Sequence, residues 1–153
     1  MNKSNYSIDV PFFTLSGTIT VGRLVDVYDG DTVTCIFPIF EDKYFKFNLR
    51  LLGIDTAELK NLDAVAKSKA QEARHKILMT CCENYNLNKD CHRDEIQKYL
   101  SSNDTYVWIE CFQFDKYGRI LANVYPKDKD TSLSDVLLEA NLAYKYDGGK
   151  KQV

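Results

Sequence analysis

Hydrophobic and polar positions along the chain follow two periods, one of about two residues and one of about three and a half. From Thr18 to Phe37 β-branched residues dominate, with Leu24-Val25-Asp26-Val27-Tyr28 before Asp29-Gly30 and Thr32-Val33-Thr34-Cys35-Ile36-Phe37 after it. Two β-rich runs around an Asp-Gly pair predict a hairpin. Pro38 has no N–H for a ladder, so the second run ends there or lies at an edge. Tyr44 to Ile54 alternates weakly and predicts a third strand, loosened at Gly53. Residues 59–67 carry mixed charge and predict a loop. Ser68-x-x-Gln71 has the capping-box pattern, and Ala70, Ala73, Ile77, Leu78 and Cys81 then recur at helical spacing, predicting a helix over 68–84. Residues 85–104 are polar and broken by asparagines, with a short helix over Arg93–Leu100 as the regular candidate. Thr105–Phe114 and Ile120–Tyr125 predict two more strands around the tight turn Asp115-Lys116-Tyr117-Gly118. Ser132-x-x-Asp135 caps a last helix with Leu133, Val136, Leu137 and Ala140 on one face, and Asn141 suits the left-handed position that ends it.

Three strands, a helix, two strands and a helix predict an α+β, β-rich fold: a five-stranded OB-type Greek-key barrel with two main helices and an insertion at about 85–104. Residues 1–16, polar apart from Pro11-Phe12-Phe13, read as an N-terminal arm, 17–147 as the OB-fold domain and 148–153 as a flexible tail.

Composition narrows the function classes. At 153 residues the chain can bury a proper core in one domain without staples. Twenty Lys and Arg against 22 Asp and Glu give a net charge of −2, which excludes a uniformly basic nucleic-acid binder. The charge is uneven, however: 59–78 carries +3, the tail from Lys145 +2, and 83–104 −2, so a local basic footprint survives. No window approaches the roughly 18 apolar residues of a membrane span, and no membrane partner is expected. Met1 to Val10 has no secretory apolar core. Cysteines at 35, 81, 82, 91 and 111 are odd in number, two of them adjacent, and predict free thiols in a reducing compartment, the cytoplasm or nucleus. Cys81-Cys82 and Cys91-His92 lack a zinc-finger or ribbon spacing, so unpaired thiols are expected rather than zinc. His75 falls on the polar face of the first helix and is expected to be solvated. Trp108, between Val107 and Ile109, is expected in the core or in a surface patch rather than stacked on a base.

Carboxylates mark the strand ends. Asp29-Gly30-Asp31-Thr32 sits at the first hairpin turn, and Arg50 to Glu58 reads Arg-Leu-Leu-Gly-Ile-Asp-Thr-Ala-Glu. Asp31, Asp55 and Glu58 supply hard oxygens suited to Ca²⁺ or Mg²⁺. Taken singly, Asp29-Gly30 is ordinary turn chemistry and Asp55-Thr56 an ordinary strand end. Two arginines change the weighing: Arg50 lies in a strand, and Arg119 follows Asp-Lys-Tyr-Gly. Their planar forks match phosphate oxygens. A metal, a base and two arginines are the parts that phosphodiester cleavage needs.

In order and internal spacing, Asp-Gly-Asp-Thr, Arg-Leu-Leu-Gly-Ile-Asp-Thr-x-Glu and Asp-Lys-Tyr-Gly-Arg resemble the staphylococcal nuclease (thermonuclease) family over roughly residues 20–147. The resemblance implies a five-stranded OB barrel with helices and a Ca²⁺-dependent nuclease, with Mg²⁺ as the alternative ion. Such an enzyme cleaves DNA, or RNA, with little sequence preference and leaves 3′-phosphates. It further implies that Asp31, Asp55 and the Thr56 carbonyl bind the metal, and that Glu58 is the general base. Arg50 and Arg119 would clamp the phosphate, with Asp29 behind Asp31 and Tyr117 and Tyr146 against substrate. Tyr144 flanks the same motifs.

Ala57 stands where the family usually has proline, which removes a constraint on the chain between Thr56 and Glu58. Residues 85–104 are longer than the family's connection, and the family's further C-terminal helix has no counterpart. The expected state is a monomer, with 85–104 as a candidate protein-binding segment. A catalytically weak or inactive nucleic-acid-binding or scaffold module is the alternative.

Overall fold

The computed structural model describes residues 1–60, 63–128 and 130–147. The tail assigned to 148–153 and residues 61–62 of the first loop lie outside them. Five strands close a barrel: β1 (Ile19–Asp29), β2 (Thr32–Ile39), β3 (Lys43–Leu51), β5 (Tyr106–Phe114) and β6 (Ile120–Pro126). β4 (Ile54–Asp55) and β7 (Tyr144–Lys145) pair outside it as a small separate ribbon. β1 pairs antiparallel with β2 and with β5, β2 with β3, and β5 with β6. A short parallel pairing, Leu49 to Ile120, Arg50 to Leu121 and Leu51 to Ala122, closes the circle. Three helices, α1 (Ala64–Cys81), α2 (Arg93–Ser102) and α3 (Leu133–Glu139), cover the outside.

Inward positions alternate as the pleat requires. Leu24, Val33, Cys35, Phe37, Leu49, Val107, Ile109 and Val124 are fully buried in the barrel, with Ile77 and Leu78 of α1, Ile96 and Leu100 of α2 and Leu133 and Leu137 of α3 packed around it. β3 alternates weakly for a physical reason: its first four residues are exposed, and only its last three are buried. The predicted third strand is also too long. It stops at Leu51; Leu52 and Gly53, the latter at φ +80°, turn the chain, and Ile54–Asp55 belongs to β4. The hairpin turn holds Gly30 and Asp31 between the strands, one residue later than the Asp-Gly pair suggests.

The first helix begins four residues before Ser68. Asp63 is its N-cap, and its carboxylate accepts from the backbone N–H groups of Val65 (2.8 Å) and Ala66 (3.5 Å). Ser68-x-x-Gln71 is an interior segment that mimics a capping box. Asp63→Ala is expected to cost about 1 kcal/mol in urea unfolding, and Asp63→Asn much less. α3 follows its sequence pattern: Ser132 Oγ accepts from the Asp135 N–H at 3.1 Å, and Asn141 takes φ +57°.

Residues 85–104 fold onto the barrel. α2 rests on β1 through Ile96 and Leu100, and the buried Asp26 carboxylate accepts from Arg93 Nε (2.7 Å) and Gln97 Nε2 (3.0 Å). The segment before it is tied to α1, where the buried Arg74 donates to the Cys91 carbonyl at 2.7 Å. His75 is not solvated as expected. It is half-buried with its ring centroid 5.5 Å from that of Tyr85, and its Nδ1 is buried without a hydrogen-bond partner. Tyr85 lies in the connection beyond α1, so the folded-back insertion covers the imidazole. Cys35 and Cys111 face the core, and burial pushes both thiols up, Cys111 to about 11.

Candidate functional site

Four sequence-predicted side chains meet at one end of the barrel because of how it closes. Thr32 pairs with Arg50 across β2–β3, and the Leu51 N–H donates to the Asp31 carbonyl at 2.8 Å, which pins the turn to the end of β3. The parallel β3–β6 pairing puts Arg50 opposite Leu121, close to Arg119 at the entry to β6. Arg50 is 9% exposed. Its Nη1 donates to the Leu51 carbonyl at 3.1 Å, and its Nη2 lies 3.3 Å from Asp55 Oδ1 and 3.5 Å from Asp31 Oδ2. A single buried guanidinium is therefore shared by both carboxylates. Asp31, Asp55 and Thr56 are themselves buried.

Gly30 permits this approach through lack of bulk. A Cβ there would sit 2.6 Å from Ala73 Cβ in α1 and 3.0 Å from Thr56 Oγ1. Ala73 Cβ is fixed to helix backbone and cannot swing away. Gly30→Ala is expected to cost about 1–3 kcal/mol, the scale of overpacking, and to lower any activity by displacing Asp31. Urea unfolding alongside kinetics checks both.

Asp29 supports the turn, with its Oδ1 accepting from the Asp31 N–H at 3.2 Å. Burial, and then the charge of Asp31, push the Asp29 carboxyl up to about 7. Burial also pushes Asp31 upward, but the Asp29 carboxyl, Arg50, Thr32 and Arg119 outweigh it and hold Asp31 below the ordinary carboxylate value. The sign for stability follows. An acid with a raised folded pKa stabilises the fold fully below its ordinary value near 3.8 and loses that contribution as pH rises through about 7. In EDTA, the difference in melting temperature between wild type and Asp29→Asn is expected to move against wild type between pH 4 and pH 8. A difference that does not change with pH would contradict the assignment.

Arg119 is held by a turn that its own chain supplies. Asp115 Oδ1 accepts from the Tyr117 and Arg119 N–H groups at 2.8 and 2.9 Å, and Oδ2 from Arg119 Nε at 2.7 Å. Gly118 completes the turn at φ +84°. Burial raises the Asp115 carboxyl, but these N–H donors and the guanidinium reverse the effect and lower it. Arg119 Nη1 also donates to Thr32 Oγ1 at 3.1 Å, and Thr32 Oγ1 in turn donates to Asp31 Oδ1 at 3.0 Å. Thr32 thus links the second arginine to the first carboxylate. The motif contained this residue, but the link depends on the folded turn.

The tyrosines frame the site. Arg119 Cζ lies 5.5 Å from the centroid of the exposed Tyr117 ring, and Arg50 Cζ 6.0 Å from that of Tyr146. Tyr146 is anchored by its N–H to the Gly53 carbonyl at 2.9 Å. Tyr144 pairs with Asp55 across β4–β7, and Lys69 Nζ sits 5.5 Å from its ring. Glu58 is exposed, three residues beyond Asp55. Among the described residues no three His, Cys, Asp or Glu side chains gather into a metal cluster. The donor chemistry is nevertheless that of a hard cation: two buried carboxylates that converge on one positive group, beside a backbone segment.

The family model described as staphylococcal nuclease homologue matches residues 48–152, which include Arg50, Asp55, Thr56, Glu58 and Arg119. The chain belongs to the staphylococcal nuclease homologue family. A search of curated proteins found no match. The family match begins inside β3, so Asp29 and Asp31 precede it, and it is the fold that brings them to the matched residues. As a family member the chain is a nuclease-type or nucleic-acid-binding module on an OB barrel. No helix among the described residues is long and apolar enough to cross a membrane.

Proposed function

We propose that the chain is a Ca²⁺-dependent nuclease that hydrolyses phosphodiester bonds of DNA, or of RNA, with little sequence preference. The observation that carries the reading is Arg50, buried and shared by Asp31 and Asp55, with Arg119 joined to the same group through Thr32. Asp31, Asp55 and the Thr56 carbonyl would hold the ion. Ca²⁺, when bound, supplies positive charge against the phosphate and the attacking water. Glu58 takes a proton from that water as its oxygen bonds to phosphorus. The P–O5′ bond breaks, the leaving 5′ oxygen takes a proton from solvent water, and the products are a 3′-phosphate and a 5′-hydroxyl. Arg50 and Arg119 donate to the phosphate oxygens as charge builds there. Arg119, on the rim and fixed by Asp115, is suited to the leaving 5′ oxygen. Tyr117 and Tyr146, beside Arg119 and Arg50, would meet a terminal phosphate through their hydroxyls or a base through their rings.

A cleavage assay on single-stranded DNA with Ca²⁺, Mg²⁺ or EDTA tests the reading. Cleavage with Ca²⁺ that EDTA abolishes is expected, and intact substrate across pH 7 to 9.5 would overturn it. A second reading, a binding module without catalysis, is favoured by the exposed Glu58 and by Ala57 in place of proline. It predicts single-strand affinity that EDTA leaves unchanged and no products on a gel.

A further inference from the structure

The outer face of β1, β5 and β6 carries aromatic side chains that the core does not use. In the strand register, Val21 of β1 lies opposite Trp108 of β5, and Trp108 opposite Tyr125 of β6. Trp108 is 45% exposed, and Tyr106, two residues before it on the same face, is 42% exposed. Lys127 Nζ stands 5.8 Å from the Tyr106 ring. Single exposed apolar residues are ordinary, whereas a contiguous row marks a contact surface. The row does not end at Tyr125. Tyr125 lines a groove of about 560 Å³ that Tyr146 also lines, and Tyr146 is the ring against Arg50.

We propose that a single strand of nucleic acid leaving the Arg50 site crosses Tyr146, occupies this groove and stacks its next bases on Tyr125 and Trp108. This rests on reading the site as one for nucleic acid, and it extends the substrate from one phosphodiester to several unpaired nucleotides. Continuity with the site argues for this occupant: Tyr146, the ring against Arg50, and Tyr125, the cross-strand neighbour of Trp108, line the same groove. So does the alternation of ring faces with Lys127 and Lys145, the latter also lining the groove. Base–aromatic stacking tolerates any sequence, since every base has a π-face. Asp135 and Asp147 also line the groove, and Glu110 beside the row accepts from Asn123 Nδ2 at 3.1 Å. The face is therefore near neutral and holds bases rather than phosphates, so binding to it depends little on salt.

Trp108 is the only tryptophan, so its fluorescence reports this face directly. The full-length protein in EDTA is titrated with oligothymidylate of about 12 nucleotides, within the span one OB barrel covers. Saturable quenching is expected, with little from a dinucleotide. In Trp108→Ala the KM for the oligomer, relative to that for a dinucleotide, is expected to rise roughly tenfold, the scale of one base stack, and Trp108→Phe should restore most of it. Unchanged fluorescence at high oligomer, or a Trp108→Ala effect equal on both substrates, would overturn the proposal. The titration involves neither metal nor turnover, so its outcome is independent of whether the protein cleaves. Normal cleavage without quenching would remove the stacking track and leave the nuclease reading intact.

Discussion

Arg50→Met is expected to lower cleavage by at least about 10²-fold, the effect of losing one donor to a developing oxyanion, and to cost about 3–5 kcal/mol of stability in EDTA. Methionine fills much of the volume, so packing is nearly conserved. The guanidinium that Asp31 and Asp55 share at 3.5 and 3.3 Å is lost, and two buried carboxylates are left side by side. A broken buried pair is costly because the remaining charge cannot reach water. Added Ca²⁺ should recover part of the stability, since an ion that binds only the folded state favours it. Arg50→Lys should keep more stability than activity, because an ammonium restores charge without the planar fork. Urea unfolding with and without Ca²⁺, alongside cleavage rates, checks each part. A fully stable Arg50→Met protein would contradict the ion-pair account.

Glu58→Gln is expected to lower kcat by about 10²–10⁴-fold, the usual contribution of a general base. Stability should stay within about 0.5 kcal/mol, because the side chain is exposed. Affinity for a single strand should also persist, since glutamine keeps the shape and removes only the ability to take the proton. The contrast with Arg50 is informative: both variants lose cleavage, but only the buried one loses stability. An unchanged rate in Glu58→Gln would remove Glu58 from its role and leave the arginines in theirs.

Much of the fold is legible because alternation in Leu24 to Phe37 and Val107 to Val124 reflects a half-buried barrel wall, and because Ser132 and Asn141 announce the ends of α3. The misreadings have physical causes. Ser68-x-x-Gln71 satisfies a capping pattern, yet the N–H groups that need an acceptor lie at Val65 and Ala66, and Asp63 reaches them. β4 and β7 have two residues each, too few for any period to appear. Trp108 reads equally as core or surface, because strand alternation does not say which face points inward. Of the site, Asp31, Arg50, Asp55, Glu58 and Arg119 are visible as residues in linked motifs. The sharing of Arg50 is not visible, because Asp31 reaches it only through the β2–β3 register that sets Thr32 against Arg50, and Arg119 joins the group only through the β3–β6 closure, a contact across 71 positions of chain. Gly30 suggests turn flexibility, but its importance is lack of bulk, since a Cβ there would sit 2.6 Å from Ala73 Cβ.

The most direct measurement is product analysis of an internally labelled single-stranded oligonucleotide, digested with the purified protein in Ca²⁺ and in EDTA. The account predicts cleavage only with Ca²⁺, with fragments that carry 3′-phosphates removable by phosphatase and free 5′-hydroxyls. Fragments ending in 3′-hydroxyl and 5′-phosphate, or intact substrate at every metal concentration, would contradict it.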